Sequence, residues 1–106
     1  MPSPELLEEF SRFFRLLSEP ARLRLLCLLQ REPQDVISLI AATGFSQSHI
    51  SRQLGQLRRA GLVRCVRDGV RLTYEADSEL VDDLCRMVHH RLRQRLESQR
   101  RILASA

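Results

Sequence analysis

The hydrophobic period changes at Gly61, and few folds accommodate what lies on either side of it. Before it, apolar residues recur at helical spacing in short blocks. After it, Leu62 to Arg67 and Val70 to Glu75 read as strands around Asp68-Gly69, a dipeptide that favours a two-residue hairpin turn. Val70, Leu72 and Tyr74 alternate with Arg71, Thr73 and Glu75, which predicts one packed face and one wet face. A lone hairpin is not stable in water, so it must lean on the helices before it.

Those helices carry readable boundaries. Segment 4–17 puts Leu6, Leu7, Phe10, Phe13, Phe14 and Leu17 on one stripe, with Glu5, Glu8 and Glu9 early, where the helix dipole favours acids. Ser18-Glu19-Pro20 opens a second helix, Ala21 to Gln30, whose nearly continuous apolar surface predicts a central position in the core. Asp35 caps a third, Val36 to Thr43, which Gly44 stops. Ser46 caps a fourth, through Ala60, with Ile50, Leu54 and Leu57 on its inner stripe.

Two short helices joined by a tight glycine-containing turn form a helix-turn-helix, and the hairpin that follows is a wing. The predicted fold is mainly α with a small β-hairpin, one winged helix-turn-helix domain across residues 1–106. Gln47, Ser48, Ser51, Arg52 and Gln56 point away from the inner stripe, beside Ser46 and His49. Such side chains can read a DNA groove.

Charge supports a polyanionic partner. The chain has 17 basic residues, all arginine, against 13 acids, a net +4. Residues 46–71 carry Arg52, Arg58, Arg59, Arg64, Arg67 and Arg71 against Asp68, a local +5. Residues 72–85 carry Glu75, Asp77, Glu79, Asp82 and Asp83 with no base, a local −5. The expected partner is double-stranded DNA, with Arg67 and Arg71 on the wing reaching the backbone.

A last helix is predicted from Asp77 or Ser78 toward Arg101, with Leu80, Leu84, Val88, Leu92 and Leu96 four residues apart. One domain of this size cannot easily bury both this stripe and that of the first helix, so a homodimer formed by the first and last helices is expected. The acidic N-terminus is unlike a signal peptide, and no apolar stretch approaches a membrane span. Cys27, Cys65 and Cys85 are too few and too scattered for a disulfide framework, so a reducing cytoplasm is the expected compartment.

Three segments resemble the ArsR/SmtB family of winged-helix repressors: LSEPARLRLLCLL in helix two, FSQSHISRQLGQLRRAGLV around helix four, and VRDGVRLTYEA in the wing. The resemblance covers about residues 6–96 and implies a dimer that holds DNA through the helix at 46–60 and releases it when an inducer binds. The family's metal sites do not carry over. Its Cys-x-Cys on helix three meets QDVISLI here, and on the last helix Asp77, Glu79 and His90 are followed by Arg93 where the fourth ligand would stand. His89 and His90 are adjacent, unlike a ligand pair on one helix face. No metal or other cofactor is expected.

Cys27 resembles the cysteine that persulfide- and thiol-sensing members carry on helix two. Their second cysteine lies nearer the end of the last helix than Cys85 does. A thiol sensor built from Cys27 and Cys85 and plain core packing both remain open, since free cysteine is among the most buried residue types. An enzyme is disfavoured, because the only histidines, His49, His89 and His90, are not set beside a nucleophile and an acid. The remaining rival is a winged helix used for protein contact alone.

Overall fold

The computed structural model describes residues 1–105. It contains α1 (Pro4–Leu17), α2 (Pro20–Arg31), α3 (Val36–Thr43), α4 (Gln47–Arg59), β1 (Val63–Asp68), β2 (Arg71–Ala76) and α5 (Glu79–Ser105). The two strands pair antiparallel and form the wing beside a helical body.

Local chemistry sets the helix ends. Ser3, Asp35 and Ser46 each accept a hydrogen bond from the backbone N–H three residues on, capping α1, α3 and α4. Gly44 ends α3 at φ 73°, a left-handed conformation that costs a residue with a Cβ more than it costs glycine. The helix-turn-helix geometry therefore depends on three consecutive features: Asp35, Gly44 and Ser46.

The core is almost entirely aliphatic. Leu25, Leu26 and Leu29 of α2 pack with Leu39 of α3, Ile50, Leu54 and Leu57 of α4, Leu62 and Val63 at the foot of the wing, and Val81 of α5. Helix α2 is central, as its composition predicts. Among the described residues no polar or charged residue is buried and no buried side-chain polar atom lacks a partner.

The wing departs from its expected register by one residue. Asp68 pairs with Arg71, so Gly69 and Val70 form the two-residue turn, with Gly69 at φ 65°. Val70 is thus a fully exposed tip residue rather than the first inward residue of β2, and Leu72 is also exposed. The physical reason is the absence of anything beneath the tip: the hairpin projects, and only its foot packs. That foot is secured by Gln34, whose N–H donates to the Tyr74 carbonyl (3.0 Å) and whose carbonyl accepts from the Tyr74 N–H (2.8 Å). A short bridge therefore ties the α2–α3 connection to the wing.

Helix α5 begins at Glu79, with Ser78 Oγ accepting from the Val81 N–H, and runs to Ser105, past the expected end near Arg101. Its 27 residues span about 40 Å. Val81 is its buried residue, and α1 has none. Phe10 and Phe14 of α1 and Leu80, Val88, Leu92 and Leu96 of α5 are all exposed in the single chain. No helix of the described residues is long and apolar enough to cross a membrane.

Candidate nucleic-acid interface

Helix α4 buries Ile50, Leu54 and Leu57 and turns its opposite side to solvent. On that side Ser48, Arg52 and Arg59 follow one another at spacings of four and seven residues, which keep one face of a helix. Gln47, Ser51, Gln56 and Arg58 are exposed around them. Among the described residues no salt bridge engages Arg52, Arg58, Arg59 or the wing's Arg67. These four cations stand free for an anionic partner.

Other expected contacts are already engaged within the chain. Ser46 spends its hydroxyl oxygen on the His49 N–H (3.1 Å) and lies 3.3 Å from Ser48 Oγ. His49 is half-buried against the Phe45 ring at 4.8 Å between centroids, with the Arg24 guanidinium 5.5 Å from that ring. Gln56 accepts from Arg22 Nη1 at 2.7 Å. Arg71 lies 3.4 Å from Asp35, and Arg64 pairs with Glu75, so the basic block is partly neutralised by its acidic neighbours. Asp35 titrates below the usual carboxylate range, first because the Ser38 N–H donates to it and second through the Ser38 side chain, with Arg71 adding to the effect.

Sequence reasoning missed Arg22, which reaches α4 from α2. A weak signal for it exists: Arg22 is the third residue of its helix, where the dipole disfavours a cation and a partner outside the helix offsets that cost. Arg58 and Arg59 belong to the basic block visible in the sequence, and both are exposed on α4.

Phe14, Leu17 and Leu23 with Leu84 and Val88 border an open cavity of about 990 Å³ between α1, α2 and α5. Cys27 and Cys85 both line it. Of the two readings left open for Cys27, core packing is not what the structure has. Cys27 lies off the inward stripe of Leu25, Leu26 and Leu29 and is exposed through the cavity mouth. The surrounding protein still displaces enough water to push its thiol pKa up, and the nearby Cys85 adds to the rise. Cys65 stands at the foot of the wing opposite Tyr74, outside this cavity. His89, His90 and Arg93 edge the cavity, with Arg93 paired to Glu97 at 3.2 Å.

A helix-turn-helix with a basic, polar second helix and a hairpin wing defines a winged helix-turn-helix DNA-binding fold. Residues 19–64 match the family described as bacterial regulatory protein, arsR family. Rv0081 of Mycobacterium tuberculosis, an HTH-type transcriptional regulator, is 41% identical over 75 residues, covering 70% of this chain and 66% of the relative. Its crystal structure superposes with a TM-score of 0.81 and 33% identity over 92% of this chain and 98% of that one. A probable mercury resistance operon repressor of Streptomyces lividans is 36% identical over 70% of this chain and 59% of its own length. The homodimeric winged helix-turn-helix DNA-binding domain of Mb0332 from Mycobacterium bovis, a possible ArsR-family regulator, matches with a TM-score of 0.76 and 29% identity over 89% and 90% of the two chains. The chain belongs to the arsR family of bacterial regulatory proteins. The chain spans just under two thirds of the length of the first curated relatives it matches, and those relatives are named as transcriptional regulators.

Proposed function

We propose that the protein is a homodimeric repressor that inserts α4 into the major groove of an operator, steadies it with the wing, and releases DNA when an inducer acts at the cavity. The observation that carries the DNA-contact part is the outward face of α4, with its three unpaired arginines beside Arg67 of the wing. Gln47, Ser48 and Arg52 read base edges, because the early turns of a recognition helix lie deepest in the groove. Arg58, Arg59 and Arg67 take phosphates, which position the helix without reading sequence.

The dimer reading is supported by the two unpartnered apolar stripes on α1 and α5 and by the homodimeric state named for Mb0332. The repressor reading draws on the mercury operon repressor's name. For the inducer, Cys27 and Cys85 share one cavity, and a two-electron oxidation would join them in a disulfide. Both thiol protons leave, and a polysulfide or similar oxidant is reduced. The bond requires Cα atoms within about 7 Å.

The test is fluorescence anisotropy with the DNA upstream of the protein's own gene, before and after diamide, for wild type and Cys27→Ser. The reading requires tight binding by both reduced proteins and loss on oxidation in the wild type only. Equal loss in Cys27→Ser would remove the thiol part; absence of binding to any duplex would remove the whole.

A further inference from the structure

Arg22 belongs to α2, yet its guanidinium joins three helices. Nη1 donates to Gln56 Oε1 at 2.7 Å and to Gln53 Oε1 at 3.2 Å, both on α4. Nε donates to the Leu16 carbonyl at 2.7 Å and Nη2 to the Arg15 carbonyl at 3.3 Å, both in the last turn of α1. These carbonyls lie at the negative end of the α1 dipole, and the Arg15 carbonyl also accepts from the Ser18 N–H (3.2 Å) and Ser18 Oγ (2.8 Å). They supply the charge complement that the start of α2 denies to Arg22.

We propose that Arg22 is a positioning residue for DNA recognition: it fixes the Gln53 and Gln56 amides with their oxygens inward, leaves Gln56 to offer only its Nε2 donor to DNA, and holds α4 against the end of α1. The proposal rests on the reading of α4 as the DNA-facing helix. Arginine has donors and no acceptor, so an amide that faces it must present oxygen. Gln56 is exposed, and its Nε2 hydrogens are left for an outside acceptor.

That orientation has a consequence for what is read. A glutamine that recognises adenine at both ends accepts from N6 while donating to N7. With Oε1 bound to Arg22, Gln56 instead targets an acceptor, such as a phosphate oxygen, guanine O6 or thymine O4. The arrangement also needs arginine itself, because a lysine ammonium cannot serve four acceptors spread over two neighbouring helices. The end of α1 contributes Leu17 and Ser18 to the cavity that holds Cys27 and Cys85, so Arg22 stands between the cavity wall and α4.

A double-mutant cycle on the full chain tests this, with Arg22→Lys, Gln56→Ala and the double variant. The probes are a duplex enriched by the wild type from a randomised pool and a scrambled duplex of the same composition. Arg22→Lys is expected to lower the preference for the enriched duplex by about tenfold, with oligomeric state and salt slope unchanged because the charge is kept. Gln56→Ala should then cost less in the Arg22→Lys background than in the wild type. Gln56→Glu keeps the bond to Arg22 but replaces the outward donor with an acceptor, so it should weaken DNA binding while the melting temperature holds or rises.

Two results would overturn the proposal. One is unchanged preference in Arg22→Lys, or costs that add within about twofold. The other is full DNA affinity in Gln56→Glu. If the wild type enriches no duplex at all, the reading of α4 fails first and takes the proposal with it.

Discussion

Arg71 Nη2 lies 3.4 Å from Asp35 Oδ2, so the second strand of the wing is ion-paired to the residue that caps α3. The same carboxylate accepts the Ser38 N–H at 2.8 Å. One side chain therefore sets both the start of the helix-turn-helix and the attachment of the wing to it. Together with the Gln34–Tyr74 backbone bridge, this ties the wing to the helix-turn-helix.

Asp35 makes the stability of this junction depend on pH. Its folded-state pKa is depressed, so its stabilising contribution is complete above the ordinary aspartate range and is lost as pH falls through the lowered value. Asparagine is as good a helix cap but cannot ionise. Urea midpoints of wild type and Asp35→Asn should converge in acid and separate toward neutrality, with the wild type the more stable. Parallel curves would contradict the assignment.

Cys27 should react slowly at neutral pH, because burial and the neighbouring Cys85 raise its pKa and reduce its thiolate fraction. Its alkylation by iodoacetamide should keep accelerating beyond the ordinary thiol range. Cys85→Ser removes the neighbouring charge and should shift that profile to lower pH. An unmoved profile, read by mass spectrometry of the Cys27 peptide, would mean that the two thiols do not sense each other.

What was legible in the sequence, and what was not, follows from the range of the interactions. The helix boundaries rest on local chemistry at Ser3, Asp35, Gly44 and Ser46, and the structure places α1 and α3 where the caps put them. The wing register was read one residue early because Asp-Gly commonly occupies a turn. Here Asp68 instead pairs with Arg71, and Gly69 takes the first turn position. Arg71 read as a wing cation for DNA, and no spacing rule reveals a carboxylate 36 residues away in the chain. Arg22 and Gln56 lie 34 residues apart and are equally invisible to periodicity.

The dimer should separate without unfolding when Leu92 and Leu96 are replaced by Glu. Both are exposed in the single chain, so the substitutions spare its own core and place charge in the expected apolar seam. Leu84 is a poorer choice, being partly buried within the chain. Sedimentation should give a folded monomer for the double variant and a dimer for the wild type at micromolar concentration. A wild-type monomer would remove the assigned role of α1 and α5.

The central claim, that α4 and the wing grip duplex DNA through arginines left unpaired in the chain, is tested most directly by the affinity of the wild type for its enriched duplex as salt rises. Arg58, Arg59 and Arg67 in each of two chains give about six phosphate contacts, hence a slope near −5 in log affinity against log salt. Arg52 reads a base, so Arg52→Ala relaxes sequence preference at a cost of about 1–3 kcal/mol. The account predicts a loss of roughly three to five decades between about 50 and 200 mM salt. A flat salt response with undiminished affinity would contradict it.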